Sequence, residues 1–90
     1  MDPIIKEKWV KALRSGEYRQ ARGSFIDRET GEHCCLAVLG AVISGNKEYP
    51  LYPDDETTGT TVLQRGGLVY MNDMGEASFE EIADWIEANL

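Results

Sequence analysis

Several kinds of residue are scarce in this chain, and each scarcity excludes a class of protein or of site. The two cysteines among its 90 residues are neighbours, Cys34-Cys35, so they cannot join distant segments as a disulfide framework does. Histidine occurs once, as His33. No apolar run approaches the roughly 20 residues of a membrane span, and the first residues lack the basic and apolar regions of a signal peptide. We therefore predict a cytoplasmic protein that binds no membrane and keeps two reduced, buried thiols, with a strained disulfide between the two neighbours as the alternative.

Basic side chains are also few, because 9 Lys and Arg stand against 16 Asp and Glu, for a formal net charge of -7. This total argues against a general nucleic-acid binder, which needs a basic surface. The charge is uneven, however: residues 1–28 carry a net +3 and the remainder carries -10. Two interpretations are open. Either the basic first third packs against the acidic remainder, or it forms a local cationic patch on an acidic protein.

Apolar periodicity predicts three helices. The first covers about residues 3–15 and opens on Asp2-Pro3, a favoured pair for a helix start. The second, over 35–44, is apolar almost all round, which is typical of a helix surrounded by the rest of its domain. The third covers 79–89 and begins with a Ser-x-x-Glu capping box.

Between the helices the pattern favours strands and loops. A turn rich in polar residues predicts a hairpin with strands near 21–27 and 31–35. Residues 46–66 read as a long loop. The β-branched content of 60–64 and 68–71 favours a strand in either segment, and 68–71 could equally be a helical turn.

These elements predict one α+β domain spanning residues 1–90, in the order α-β-β-α-(β)-α. The apolar helix lies at its centre, and a small antiparallel sheet covers one side. A chain this small buries a limited core and gains from self-association, so a homo-oligomer is among the expected partners.

The cluster that suggests nucleophilic or metal chemistry is His33-Cys34-Cys35. In a strand, His33 reaches Cys35 and not Cys34, which leaves a Cys35–His33 nucleophile pair as one hypothesis beside two inert thiols. Three adjacent residues cannot fill three tetrahedral positions around zinc. The acidic run 54–56 lacks the spacing of a calcium loop. We therefore predict no metal and no cofactor.

A second cluster has the residue types that hold a phosphate-bearing ligand. Arginine forks match phosphate oxygens, aromatic rings can stack on a base, and hydroxyl groups donate hydrogen bonds. An edge strand that uses charge to discourage aggregation would carry similar residues, and this alternative stays open. The candidate ligand-binding residues are Tyr18, Arg19, Arg22, Ser24, Arg28, Arg65 and Tyr70.

Three stretches of the chain resemble a family of small proteins from tailed bacteriophages and prophages. The family patterns are W-x-x-A-L-R-S-G-x-Y, C-C-L-G-V-L and N-D-x-G-x-S-F-x-x-I-A-D-x-I-E. They correspond here to residues 9–18, 34–39 and 72–87, and Ala37 stands where the family usually has glycine. The resemblance covers most of the chain outside the 46–66 loop.

This resemblance implies an origin rather than a mechanism: an accessory phage protein that acts by binding in the host cytoplasm. The first hypothesis is that it sequesters a small anionic, nucleotide-type ligand used in antiphage defence. The second is an acidic inhibitor that binds a host protein through Asp54, Asp55, Glu56 and the outer face of the 79–89 helix. The third, a Cys-dependent enzyme using Cys35 and His33, ranks last.

Overall fold

The computed structural model describes all 90 residues and contains five helices. They are α1 (Pro3–Arg14), α2 (Cys35–Ser44), α3 (Asp55–Thr58), α4 (Val62–Asp73) and α5 (Phe79–Asn89). The three helices predicted from periodicity are confirmed as α1, α2 and α5, with bounds that differ by at most one residue. The predicted α+β class is wrong, because the chain forms no sheet. None of the helices is both long and apolar enough to cross a membrane.

Helix α2 forms the centre of the core, as its apolar sequence predicts. Residues 35–41 are all buried, and α1 and α4 pack against the helix. Trp9 of α1 is fully buried and its indole Nε1 donates to the carbonyl of Cys35 at 2.9 Å. The hydrogen bond satisfies the one polar atom of this ring and fixes the register of α1 on α2.

Helices α1 and α5 are joined by an ion-pair network. Arg14 at the end of α1 contacts Glu80 at 3.2 Å, Asp84 at 2.5 Å, and Glu87. The hydrogen bonds that Arg14 donates to Asp84 and, second, to Glu87 raise the pKa of Arg14. For this arginine, the interpretation that the basic first third packs against the acidic remainder is confirmed.

The predicted hairpin of 21–27 and 31–35 is replaced by an irregular loop. Only two isolated bridges form, from His33 to Gln20 and from His33 to Ile26. Gly23 lies between these partners with φ of 89°, a left-handed conformation that glycine adopts without strain. The chain turns at Gly23, so Gln20 and Ile26, on either side of the turn, both pair with His33. No run of successive paired residues, and so no strand, forms.

The strand interpretation of 60–64 and 68–71 is also wrong, because both segments lie in or beside α4. For 68–71 the alternative of a helical turn agrees with the structure. Thr61 caps this helix by accepting from the backbone N of Gln64 at 3.1 Å, and the Gln64 side chain accepts from Thr61 N at 2.9 Å. This capping box and the burial of Leu68 outweigh the β-propensity of the segment. The 46–66 loop is correspondingly shorter and contains α3.

Candidate functional site

A polar cavity of about 460 Å³ lies between the chain that follows α1 and the chain that follows α2. Its volume is in the range of about 300–1,000 Å³ typical of small-ligand sites. The lining residues come from 17–33 and 47–49. We call this feature the polar cavity.

Three cationic side chains line the polar cavity: Arg19, Arg28 and Lys47. None of them forms an ion pair, whereas Arg14 and Arg65 elsewhere do. Each is held instead by one backbone carbonyl. Arg19 donates to Thr30, Arg28 donates to Glu48 at 2.9 Å, and Lys47 donates to Glu17.

These contacts position the three cations, and none of the three forms an ion pair with the carboxylates that line the same cavity. Each contact uses one N–H, whereas a guanidinium has five to donate and an ammonium has three. The remaining donors are available to an anion that enters the cavity.

His33 joins the two walls of the polar cavity. Its ring is buried, and its Nδ1 and Nε2 lie 2.9 Å from the carbonyl oxygen of Gly31 and 2.7 Å from that of Lys47. Tyr18 packs edge-on against the His33 ring at 5.2 Å between centroids. His33 therefore ties the loop before α2 to the segment after it.

Aromatic rings accompany two of the cations. The Lys47 Nζ lies 4.6 Å from the centroid of the Tyr18 ring, and the Arg28 guanidinium lies 5.3 Å from that of Tyr49. Burial is the main cause of a raised pKa at Tyr18, followed by the charge of Glu17. Tyr49 is 64% exposed, so its ring is free to stack on a ligand.

Three acidic residues also line the polar cavity: Glu17, Asp27 and Glu48. The Asp27 carboxylate is already engaged, since its Oδ1 accepts from the backbone N of Glu29 and of Thr30. A ligand that suits these walls carries anionic oxygens for the cations and hydrogen-bond donors for the carboxylates.

The structure thus brings together Tyr18, Arg19 and Arg28 of the seven predicted ligand-binding residues. Lys47, Tyr49 and His33 complete the site but were not predicted as ligand-binding residues. Lys47 is the only basic residue between 29 and 64. The position of a single lysine in an acidic stretch is a feature of the sequence that could have identified Lys47 as a ligand-binding candidate.

Arg22 and Ser24 lie outside the polar cavity. The Arg22 guanidinium donates to the carbonyl of Asn72 at 2.5 Å and to that of Ala77 at 3.3 Å. It therefore binds carbonyl oxygens at and just after the C-terminal end of α4, where a positive charge is favourable. Ser24 is exposed beside a small groove next to Phe25. Neither residue can contact a ligand in the polar cavity as the chain is folded.

Arg65 and Tyr70 lie elsewhere on α4. Arg65 is buried, pairs with Asp55 at 2.6 Å and donates to the carbonyl and hydroxyl oxygens of Thr60 at 3.0 Å. It therefore fixes α3 to α4 instead of meeting a phosphate. Tyr70 is 65% exposed on the outer face of α4.

The Cys35–His33 pair does not have the geometry of an activated nucleophile. The Cys35 side chain is fully buried, and its Sγ lies 3.6 Å from the carbonyl oxygen of Leu68. Both ring nitrogens of His33 face backbone carbonyls. Burial raises the pKa of both thiols, most strongly that of Cys35, so the reactive thiolate is disfavoured.

We expect Cys34 and Cys35 in the folded protein to react with iodoacetamide at pH 8 more than about 100-fold slower than an exposed thiol. The raised pKa lowers the thiolate fraction, and burial blocks access. Mass spectrometry of a time course measures the rate. A Lys8→Cys variant supplies an exposed reference thiol in the same chain. Labelling of a native cysteine at the rate of this reference would contradict the prediction.

A larger depression of about 760 Å³ runs along α1 beside Glu87 of α5. Its arginine, Arg14, is already paired with three carboxylates, and Lys6 donates to the carbonyl of Glu87 at 3.3 Å. Ion pairs within the chain therefore compensate the charge of Arg14, and Lys6 and Lys11 form none. No group of three or more His, Cys, Asp or Glu that could hold a metal is present.

Comparison with protein families gives one match, which covers residues 1–61. This chain belongs to that family, described as a domain of unknown function, DUF8296. The matched part contains α1, α2 and every residue that lines the polar cavity. No curated protein and no solved structure matches the chain. Membership of DUF8296 therefore gives no activity, and the phage origin drawn from the resemblance stays a prediction.

Proposed function

We propose that this DUF8296 protein binds a small anionic ligand of the nucleotide type in the polar cavity. The observation that carries the proposal is that Arg19, Arg28 and Lys47 line one cavity and that none has a carboxylate partner. Unpaired cations that share a concave site are stabilised by a bound anion.

The nucleotide class follows from the other groups around the cavity. The exposed ring of Tyr49 offers a face for a base. The Glu17 and Glu48 side chains can accept from ribose hydroxyls or a base amino group. Inorganic phosphate would pair with the cations but would leave Tyr49, Glu17 and Glu48 without a ligand group to contact. In an infected cell, binding of this kind would sequester a nucleotide signal, the role suggested by the resemblance to phage proteins.

The alternative of an acidic surface for a host protein has less support. Asp54 caps α3 by accepting from Thr57 N at 2.7 Å, and Asp55 pairs with Arg65. The carboxylates of α5 named above are held by Arg14. Most of the acidic groups assigned to that surface are thus engaged within the chain.

Thermal shift and calorimetric titration against cyclic dinucleotides, ADP-ribose, ATP and inorganic phosphate test the proposal. We expect at least one nucleotide to raise the melting temperature at a micromolar dissociation constant. Arg28→Gln should weaken that binding by about 10-fold or more, because it removes a charged donor worth about 1.5–3 kcal/mol.

Lys8→Gln is the matched control, since it removes one exposed positive charge from α1, outside the polar cavity. It should bind as the unaltered protein does. Absence of binding across the panel, or equal loss in Arg28→Gln and Lys8→Gln, would refute a ligand site in the polar cavity.

A further inference from the structure

The single histidine of the chain, His33, is buried in the wall of the polar cavity between two hydrogen-bond acceptors. Its Nδ1 lies 2.9 Å from the carbonyl oxygen of Gly31, and its Nε2 lies 2.7 Å from that of Lys47. A carbonyl oxygen only accepts, and a neutral imidazole carries one N–H. A neutral ring therefore satisfies one contact and points a lone pair at the other oxygen. Only the doubly protonated ring donates to both carbonyls.

The charged groups around the His33 ring act on its second proton in opposite directions. Negative charges nearby favour the positive form of the ring, and positive charges oppose it. Tyr18 packs edge-on against the ring and stays neutral, because burial raises its pKa. The carboxylates of the polar cavity are Glu17, Asp27 and Glu48, and its cations are Arg19, Arg28 and Lys47.

An anion in the polar cavity changes this balance in one direction. It pairs with the three cations, none of which has a carboxylate partner, and so cancels the repulsion that they exert on a positive ring. A positive His33 ring in turn adds a fourth positive charge to the site. The anion and the second proton therefore favour each other, and the coupling is equal in both directions.

We propose that anion binding in the polar cavity is coupled to proton uptake by His33, so that the affinity for the anion rises as the pH falls. The range is about pH 8 to about pH 5.5, in which the charge of a histidine ordinarily changes. The inference rests on the proposed function, because it requires an anion in the cavity. His33 acts as a positioning residue: its doubly protonated ring also holds the carbonyl of Lys47, and with it the segment that carries Tyr49.

Nitrogen NMR of the unaltered chain tests the coupling directly, since the signals of a single histidine ring are unambiguous. Sulfate is the probe, because it keeps both negative charges throughout this pH range and cannot itself cause a pH dependence. At intermediate pH, a larger fraction of the His33 ring should be doubly protonated in sulfate than in sodium chloride of equal ionic strength. This comparison needs no variant, so it decides the proposal even if substitutions at His33 prevent folding.

Sulfate affinity at the two ends of the pH range gives the size of the coupling. Binding followed by backbone amide shifts should be about 10-fold tighter at the lower pH. His33→Gln keeps a side-chain N–H donor but cannot become charged, so it should remove most of this pH dependence. Lys8→Gln is the matched control and should retain it, because Lys8 is exposed on α1 outside the polar cavity. Circular dichroism checks that both variants remain folded.

Failure of the coupling and failure of the proposed function give different results. No binding of sulfate, equal affinity at both ends of the pH range, or an unchanged protonated fraction of His33 in sulfate would overturn the coupling. A pH dependence that survives in His33→Gln would place the proton on a carboxylate such as Glu48 and would also overturn it. The nucleotide panel at neutral pH tests the proposed function separately, and nucleotide binding without any pH dependence would leave that function standing.

Discussion

Replacing Asn72 with leucine is expected to lower the free energy of unfolding by about 4 kcal/mol. Asn72 is fully buried, and its side chain connects three parts of the fold. Its Oδ1 accepts from Gln20 Nε2 at 2.8 Å and from the backbone N of Cys35 at 3.2 Å. Its Nδ2 donates to the carbonyl of Ala21 at 2.7 Å.

The hydrogen bond from Cys35 N to Asn72 Oδ1 stabilises the start of α2. The residue before that helix, Cys34, makes no side-chain capping bond, and Asn72 supplies from α4 an acceptor for the N–H of Cys35, one of the first N–H groups of α2 that have no partner within the helix. Leucine has the same branching as asparagine but leaves the N–H of Cys35 and the carbonyl of Ala21 unpaired, each at a cost of about 1–3 kcal/mol. A 90-residue chain has only about 5–13 kcal/mol of total stability.

Urea or thermal unfolding followed by circular dichroism measures this effect. Asn89→Leu is the matched control, because Asn89 is exposed at the end of α5 and contacts only the carbonyl of Trp85. Its change should stay within about 0.5 kcal/mol. If the two variants proved equally stable, Asn72 would not connect α4 to α2.

Replacing Gly40 with alanine should destabilise the protein by about 3 kcal/mol. The added Cβ would lie 1.9 Å from the carbonyl oxygen of Leu51 and 3.0 Å from its carbonyl carbon. Backbone atoms cannot rotate away as a side chain does, so the segment around Leu51 must shift. That shift breaks the hydrogen bond from Leu51 N to Gly40 O, at 3.3 Å.

The sign and size of the stability change in Gly40→Ala distinguish a steric clash from ordinary helix propensity. In an open helix, Gly→Ala stabilises by up to about 1 kcal/mol. Gly45→Ala is a useful reference, since Gly45 has φ of 71° and open space around it, and backbone strain alone should cost about 1 kcal/mol. A Gly40→Ala protein as stable as the parent, in the same unfolding measurement, would mean that residues 50–53 do not rest on α2.

Local signals predicted the helices well because those signals are strong and unopposed. Asp2 caps α1, accepting from the backbone N of Ile4 and of Ile5, and Ser78 and Glu81 form the predicted capping box of α5. The run over 35–44 could only be a surrounded helix. The same Thr-x-x-Gln signal was present at Thr61, but the β-branched residues of 60–64 and 68–71 favoured strands.

The candidate site was predictable only in part. Arginine and tyrosine in residues 18–28 indicated an anion site, and Arg19 and Arg28 do line one cavity. Arg22 and Arg65 have the same chemistry in sequence, yet one serves the end of α4 and the other pairs with Asp55. The type of side chain shows that it can bind phosphate. Whether an arginine is already bound by other groups of the protein depends on residues that are distant in sequence.

The amino-acid sequence by itself determined the acidic character, three of the five helices, the buried pair of cysteines and the single apolar core. These properties follow from composition, capping and periodicity within a few turns of chain. Only the tertiary structure decided that 15–34 forms a loop instead of a hairpin and that 62–73 is helical. It also decided which cations remain unpaired, because hydrogen bonds such as those of His33 and Asn72 join residues that local patterns cannot relate.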